Sequence, residues 1–438
     1  MIFFQRVLRY QTFLCCAAVC LLLFPSRTAA EQAAERIYLD ILDSGSRKLV
    51  VAVPPFADGS GNRNTETGQK LAQLMTDGLR FHGFVQILDP LRYAGQPKPD
   101  WRALGADYVV QGSFLANGDR MAVAGSLFDV MAGTVLATKN YKGMSAGQED
   151  MTLRLTDAMI EEFTGEPGVS RSAIAFVSDA TGRKEIYLAD VLGRHVRQIT
   201  RHRHLCVSPR FTPDGLQLAY SSYHRGNQDL YITELDQNSR TRTMSRRRGM
   251  NLAPAFTPDS RAAVVTLSRG GNPDLYLIDM EGKILKQLTR KAGINVSPSF
   301  SPDGRAICFV SDRSGSPQVY IMRIDTLQVQ RLTLQGKENV EPSWSPRGDK
   351  IAYTRLVGNG EYHIFTVPVR GGSATRITSG PGSYESPTWS PDGKQIAFVL
   401  KKNGRMKLCA AFANGEGMRS LFTLDGNQSY PRWSPRFR

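Results

Sequence analysis

The pattern Pro298-Ser299-Phe300-Ser301-Pro302-Asp303-Gly304 returns along the chain at almost constant spacing, and this repeat constrains the fold more than any other feature. Its leading prolines are Pro209, Pro254, Pro298, Pro342, Pro387 and Pro431, separated by 45, 44, 44, 45 and 44 residues. A second proline follows four residues later in each copy, with an aromatic residue two positions before it. A fixed period of this length means stacked copies of one supersecondary unit.

The unit reads as strands. In the copy that starts at Pro298, Arg305 to Val310, Gln318 to Ile324 and Val329 to Thr333 are runs rich in Val, Ile, Phe and Tyr, broken by turn clusters such as Ser314-Gly315-Ser316. With the proline-flanked stretch they make four strands. Ser-Pro-Asp-Gly is turn chemistry: Pro presets φ, Asp bonds back to the backbone and Gly accepts the left-handed conformation. Four strands every 44 residues is the signature of a β-propeller blade.

The last copy stops at Trp433-Ser434-Pro435-Arg436-Phe437-Arg438, after one strand. Its missing partners are found at the other end of the array, where Ala173-Ile174-Ala175-Phe176-Val177-Ser178-Asp179 matches Ala306-Ile307-Cys308-Phe309-Val310-Ser311-Asp312. Five whole repeats and one split repeat predict six blades. A split blade would lock the ring and hide its sheet edges.

The first thirty residues read as a secretory signal. Arg6 and Arg9 precede an apolar run from Phe13 to Phe24, and Thr28-Ala29-Ala30 supplies the small residues for cleavage after Ala30. The run is too short for a spanning helix, which needs about 20 residues. The formal charge is +15, of which Arg6, Arg9 and Arg27 belong to the leader. A basic, exported chain points to acidic partners or an anionic envelope. The cluster Arg240, Arg242, Arg246, Arg247 and Arg248 reads as a solvated loop between blades, with no nucleic acid. Of the cysteines, Cys206, Cys308 and Cys409 follow the leader; an odd number argues against a disulfide framework, and Cys308 and Cys409 read as buried apolar groups.

Residues 31–165 carry no such repeat. A strand is predicted over Lys48–Phe56, and a helix over Thr65–His82, where Leu71, Leu74, Met75 and Leu79 share one face. A second strand over Phe84–Leu88 and a short helix over Asp100–Leu104 follow. Ala106–Leu115, Met121–Val130 and Thr134–Tyr141 form a meander with a hairpin at Asn117-Gly118, before a final helix from about Gln148 to Phe163. The expected organisation is a signal peptide over 1–30, an extended segment over 31–47, an α/β domain over 48–165, a linker over 166–171 and a propeller over 172–438. The fold class is therefore mainly β: a six-bladed β-propeller preceded by a small α/β domain.

Candidates for chemistry are few. Gly143-Met144-Ser145-Ala146-Gly147 fits a nucleophile elbow between a strand and a helix, but Ser145 followed by Gln148 also fits a capping box, and every downstream His falls in the propeller. His202 and His204 read as exposed loop residues beside Arg201 and Arg203. Asp214, Asp303 and Asp392 recur in the turns and read as structural. No phosphate loop, dinucleotide fingerprint, paired-cysteine motif or calcium loop is present, so neither an enzyme nor a cofactor is expected.

The order of these parts resembles the TolB family of the Tol-Pal envelope system. The resemblance is carried by the leader, Arg36-Ile37-Tyr38-Leu39-Asp40-Ile41, Val51-Ala52-Val53-Pro54-Pro55-Phe56, Trp101-Arg102-Ala103-Leu104-Gly105-Ala106-Asp107, Thr164-Gly165 and the six Pro-containing blades. Departures are Asp259-Ser260 and Arg347-Gly348 in two turns and the basic Arg246–Arg248 stretch. The resemblance implies a monomeric, non-enzymatic periplasmic scaffold that supports outer-membrane invagination during division. Its propeller would bind Pal, the lipoprotein that ties the outer membrane to peptidoglycan, and its mature N-terminus would contact TolA. An exported propeller hydrolase or sugar-binding protein is the alternative.

Carried over residue by residue, the TolA segment is Arg36, Ile37, Tyr38, Leu39, Asp40, Ile41 and Leu42, which could add as a strand to a partner sheet. The Pal contacts map to loops just before the leading prolines: Met250, Asn251 and Ala253, and Asn295, Val296 and Ser297. By repeat logic they extend to Asn339, Val340 and Glu341, and to Tyr384, Glu385 and Ser386.

Overall fold

The computed structural model describes residues 47–236 and 239–437. The leader and the segment Arg36–Leu42 lie outside the described residues.

The α/β part is a five-stranded sheet with two helices. Strand β1 (Leu49–Ala52) leads into helix α1 (Glu66–Phe81) and returns as β2 (Val85–Ile87), parallel to β1. Strands β3 (Tyr108–Asn117), β4 (Arg120–Asp129) and β5 (Thr134–Met144) form the meander, giving the order β2-β1-β3-β4-β5. The hairpin pairs Asn117 with Arg120 around Gly118, which takes a φ of 59°. Helix α1 starts where Thr65 Oγ1 accepts the Gly68 N–H at 3.0 Å. Its apolar face packs with α2 (Gln148–Thr164) on the sheet, burying Leu71, Met75, Leu79, Leu155 and Met159 around Phe56. The approach is close: a Cβ on Gly68 would stand 2.1 Å from the Phe56 carbonyl oxygen.

Two local expectations are corrected. Asp100–Leu104 forms hydrogen-bonded turns and no helix, because Gly105 at a φ of 77° ends the segment after a single Leu104-to-Asp100 backbone bond. Ser145 does not cap α2: residues 145–147 form a short 3₁₀ turn, Gly147 is the N-cap, and the Ser145 hydroxyl is buried without a hydrogen-bond partner. Among the described residues no base stands within hydrogen-bond distance of it.

The remaining strands build six four-stranded antiparallel sheets. Blade 1 is assembled from both ends of the array: the strand Gln428–Trp433 pairs antiparallel with Ala173–Ser178, followed by Glu185–Asp190 and Val196–Gln198. Blades 2 to 6 begin with Cys206–Phe211, Asn251–Phe256, Asn295–Phe300, Asn339–Trp344 and Ser383–Trp389. These five strands and Gln428–Trp433 neighbour one another around the ring, so they are the inner strands that line its axis. Successive blades are latched at this level. Ser299 Oγ accepts the Trp344 N–H at 3.1 Å, Trp389 Nε1 donates to the Ser343 carbonyl at 2.9 Å, and Thr388 Oγ1 accepts the Trp433 N–H at 3.2 Å.

The turn that leaves each inner strand behaves as its chemistry requires. Ser301 Oγ donates to Asp303 at 2.6 Å and the Arg305 N–H to the same carboxylate at 3.0 Å, while Gly304 takes a φ of 71°. These bonds hold the Asp303 carboxyl below its usual range. At the departure Asp259-Ser260, Ser260 fills the left-handed position with a φ of 59°.

Candidate functional site

Strand direction divides the propeller into two faces. The inner strands of blades 2 to 6 each end in a Pro-Asp-Gly-type turn and begin after the loop from the preceding blade, so turns and loops lie at opposite ends. The α/β part sits at the turn end. Glu166 pairs with Arg347 at 2.8 Å and Lys394 at 3.5 Å, both in such turns, and Arg419 donates to the Phe81 carbonyl at 2.8 Å. The loop end is the opposite face.

On that loop face the repeat places one apolar side chain per blade in blades 2, 3 and 4, four residues before the leading proline. Leu205, Met250 and Ile294 are 40%, 41% and 47% exposed. The same position in blades 5, 6 and 1 holds Glu338, Ser383 and Asn427. Three exposed apolar side chains on adjacent blades, continued by a polar arc, have the composition of a protein-docking rim. Leu334, 77% exposed, lies in the loop that leads into blade 5.

The expected contact residues separate by environment. Met250 is exposed just ahead of its strand, whereas the others lie within inner strands and not in loops. Asn251, Asn295 and Asn339 are fully buried. Asn251 Nδ2 donates to the Gln228 and Arg247 carbonyls, at 2.9 Å and 2.6 Å, and its Oδ1 accepts from Ser245 Oγ and the Arg247 N–H. Asn295 bonds Asp274 and the Gly293 carbonyl, and Asn339 bonds Gln318 and the Gln335 carbonyl. These amides fasten the preceding loop to the blade. Tyr384 is buried and donates to the Ser379 carbonyl at 2.8 Å; Ser386 is buried against Glu341. Val296, Ser297, Val340, Glu341 and Glu385 are half-buried, and Ala253 lies in the blade 3 inner strand.

A bulge precedes each leading proline in the strand register, and Ser208, Ser297, Glu341, Ser386 and Tyr430 all take a φ between 51° and 59°. Left-handed conformation at a non-glycine residue costs about 1–3 kcal/mol and persists only where neighbours over-determine it. For Glu341 and Ser386 the determinant is visible: the Glu341 carboxylate accepts from the Ser386 N–H at 2.7 Å, Ser386 Oγ at 2.8 Å and Thr354 Oγ1 at 2.9 Å, crossing from blade 5 to blade 6. Burial and the nearby Glu341 charge raise the Glu385 carboxyl.

Comparison with known proteins places these features. Residues 160–437 match the TolB beta propeller domain, and residues 37–136 match the TolB amino-terminal domain. The chain belongs to the TolB family. It is similar to the Tol-Pal system protein TolB of Desulfotalea psychrophila, 46% identical over 213 residues that cover 48% of this chain and 49% of that protein. The Tol-Pal system protein TolB of Geobacter sulfurreducens is 34% identical over 210 residues, covering 46% and 49%. The chain thus spans about half the length of the curated relatives it matches. The crystal structure of TolB from Acinetobacter baumannii superposes with a TM-score of 0.80 at 26% identity, covering 89% of this chain and 98% of that one.

Within the TolB family frame, two further sequence expectations change. His202 is not an exposed loop residue; its ring is half-buried, stacked on His224 at 4.1 Å, and its Nε2 lies 3.0 Å from the Tyr220 hydroxyl. Burial and the second imidazole push His202 down. His204 is exposed, and no group of three metal-binding side chains forms among the described residues. The basic stretch is also not a plain solvated loop. Thr241–Ser245 is the outer strand of blade 2, Arg246 pairs with the buried Asp229 at 3.2 Å, and Arg247 bonds the Gly282 carbonyl at 2.6 Å. Cys206, Cys308 and Cys409 are free and buried.

Leu205 and Ile294 are not among the expected contact residues, which begin at Met250 in blade 3 but only at Asn295 in blade 4 and include none in blade 2. The repeat itself holds the missing signal, since both stand at the position of Met250.

Proposed function

We propose that this chain is a non-enzymatic periplasmic scaffold of a Tol-Pal system, which binds Pal through the loop face of its propeller and TolA through Arg36–Leu42, and so supports outer-membrane constriction and integrity. Membership of the TolB family and the names of its relatives support the system. The observation that carries the Pal site is the exposed arc Leu205, Met250 and Ile294 on the face away from the α/β part. Buried apolar anchors surrounded by a polar rim dominate protein association, and a rigid ring of loops presents them without an ordering cost. Val296 on blade 4 and Val340 on blade 5 border this arc as secondary contacts, Glu385 lies on the polar side of the ring in blade 6, and the buried asparagines shape the loops behind the arc. An extended N-terminal segment suits strand addition to TolA, the backbone supplying affinity and alternate side chains specificity.

The test is calorimetric titration of the mature chain with the soluble domain of the same organism's Pal. One-to-one binding is expected, lost in the double variant Met250→Glu, Ile294→Glu while its thermal melt stays unchanged. Removal of residues 31–43 should abolish TolA binding and leave the Pal site able to bind. Full affinity in the double variant would overturn the placement, and no binding by the unaltered chain would overturn the function.

A further inference from the structure

The axis of the propeller carries an unexplained charge pattern. The residue after each leading proline is Ala255, Ser299, Ser343 and Thr388 in blades 3 to 6, but Arg210 in blade 2 and Arg432 in blade 1. The two arginines therefore occupy equivalent positions on adjacent inner strands, facing four small residues. With Ala255, Ser299 and Ser343 they line a cavity of about 200 Å³. This is smaller than the roughly 300–1,000 Å³ of sites for drug-sized ligands.

Neither guanidinium is neutralised by a direct partner. Arg210 donates Nη1 to the Pro209 carbonyl at 2.9 Å and Arg432 donates Nη1 to the Pro431 carbonyl at 2.8 Å, and among the described residues neither forms an ion pair. Glu341 lies close enough to act on both electrostatically, but its carboxylate is held by Ser386 and Thr354. Burial and the neighbouring Arg432 charge push Arg210 well below its ordinary range, and burial lowers Arg432 to about 10. Guanidinium stays protonated in proteins, so the cost remains as two confined like charges. A fork of N–H donors beside a second fork is the arrangement that receives a planar or tetrahedral oxyanion.

We propose that Arg210 and Arg432 form a binding site for a small oxyanion, a carboxylate or phosphate group, on the propeller axis. The inference is independent of the Pal-docking reading. The ligand group could arrive free or as the carboxylate of an inserted polypeptide side chain.

The experiment follows the ³¹P line width of inorganic phosphate titrated with the mature chain at neutral pH and constant ionic strength, beside the variants Arg210→Ser and Arg432→Ser. Serine is the native residue at this position in blades 4 and 5, so each variant keeps the local backbone pattern. Saturable broadening is expected with the unaltered chain, weakened about tenfold or more in each variant, the scale of one lost charge-assisted contact. A second arm displaces phosphate with acetate or with a blocked peptide containing one Glu; the competitor effective at lower concentration identifies the source as free or polypeptide-borne. Absence of saturable broadening with the unaltered chain overturns the site. Equal broadening by folded Arg210→Ser and Arg432→Ser also overturns it, since the anion would then sit elsewhere.

Discussion

His82 Nε2 accepts the backbone N–H of Val169 at 3.0 Å, while its Nδ1 donates to the Gly78 carbonyl at 2.8 Å. Both ring nitrogens are committed, so the folded protein requires the neutral imidazole with its proton on Nδ1. The bond ties the end of α1 to the start of the propeller chain. Asp157 completes the clasp, accepting the Ser170 N–H at 2.7 Å through its carboxylate and the Gly168 N–H at 3.0 Å through its carbonyl. The segment 166–171 is consequently stitched to both helices and is no free linker.

This clasp makes stability depend on pH. Burial pushes His82 below its ordinary value of 6.5. The unfolded chain then binds more protons than the native one as pH falls below 6.5, so this contribution is full above 6.5 and is lost on acidification. Asp157 is raised by burial and acts with the opposite sign at lower pH. The melting temperature should fall between pH 7 and about pH 5, more steeply than in His82→Gln, whose amide does not titrate. Parallel slopes in the two proteins would count against the assignment.

The closing strand should matter out of proportion to its length. Trp433 is buried, donates Nε1 to Ser172 Oγ at 2.7 Å and packs edge-on to Phe81 with ring centroids 6.0 Å apart. It joins blade 1, its outer neighbour and α1. Trp433→Ala should cost about 3–5 kcal/mol in denaturant unfolding. Deletion of residues 429–438 should lower the melting temperature further, because it also opens the ring.

Ser260 offers a gain. Its φ of 59° is the conformation that glycine fills at the equivalent turns, as at Gly304. Ser260→Gly should therefore stabilise the protein by up to about 1 kcal/mol, relief of left-handed strain exceeding the added unfolded-state entropy. Equilibrium urea unfolding would show a higher midpoint with an unchanged slope.

Asn339 and Met250 should behave as opposites. Asn339→Ala removes bonds to Gln318 Oε1 at 2.7 Å and the Gln335 carbonyl at 2.9 Å, leaving buried polar groups unmatched at a cost of about 1–3 kcal/mol. Met250→Glu changes an exposed side chain and should leave the melt within about 0.5 kcal/mol. Paired thermal melts of the two variants separate a loop-fastening position from a surface one.

Much of the architecture was legible because it follows from short-range rules. The proline period and the Pro-Asp-Gly turns specify strands and their spacing, and the spacing of Leu71, Met75 and Leu79 specifies the buried face of α1. The candidate site was legible only in part. Asn251, Asn295 and Asn339 share a repeat position with nothing to mark them as buried, and their amides are spent on carbonyls that only the folded loops bring near. His202 and His224 stand 22 positions apart and meet only when neighbouring loops of one blade converge.

By itself the sequence determined the number of blades, the chemistry of each turn and the two-part organisation, because period, φ preference and apolar spacing act within a few residues of the chain. Only the tertiary structure decided which repeat positions face solvent, that His82 clasps Val169, and that Arg210 and Arg432 share one cavity. Those relations join residues far apart in sequence: packing of the two helices brings His82 to Val169, and closure of the ring brings Arg432 beside Arg210.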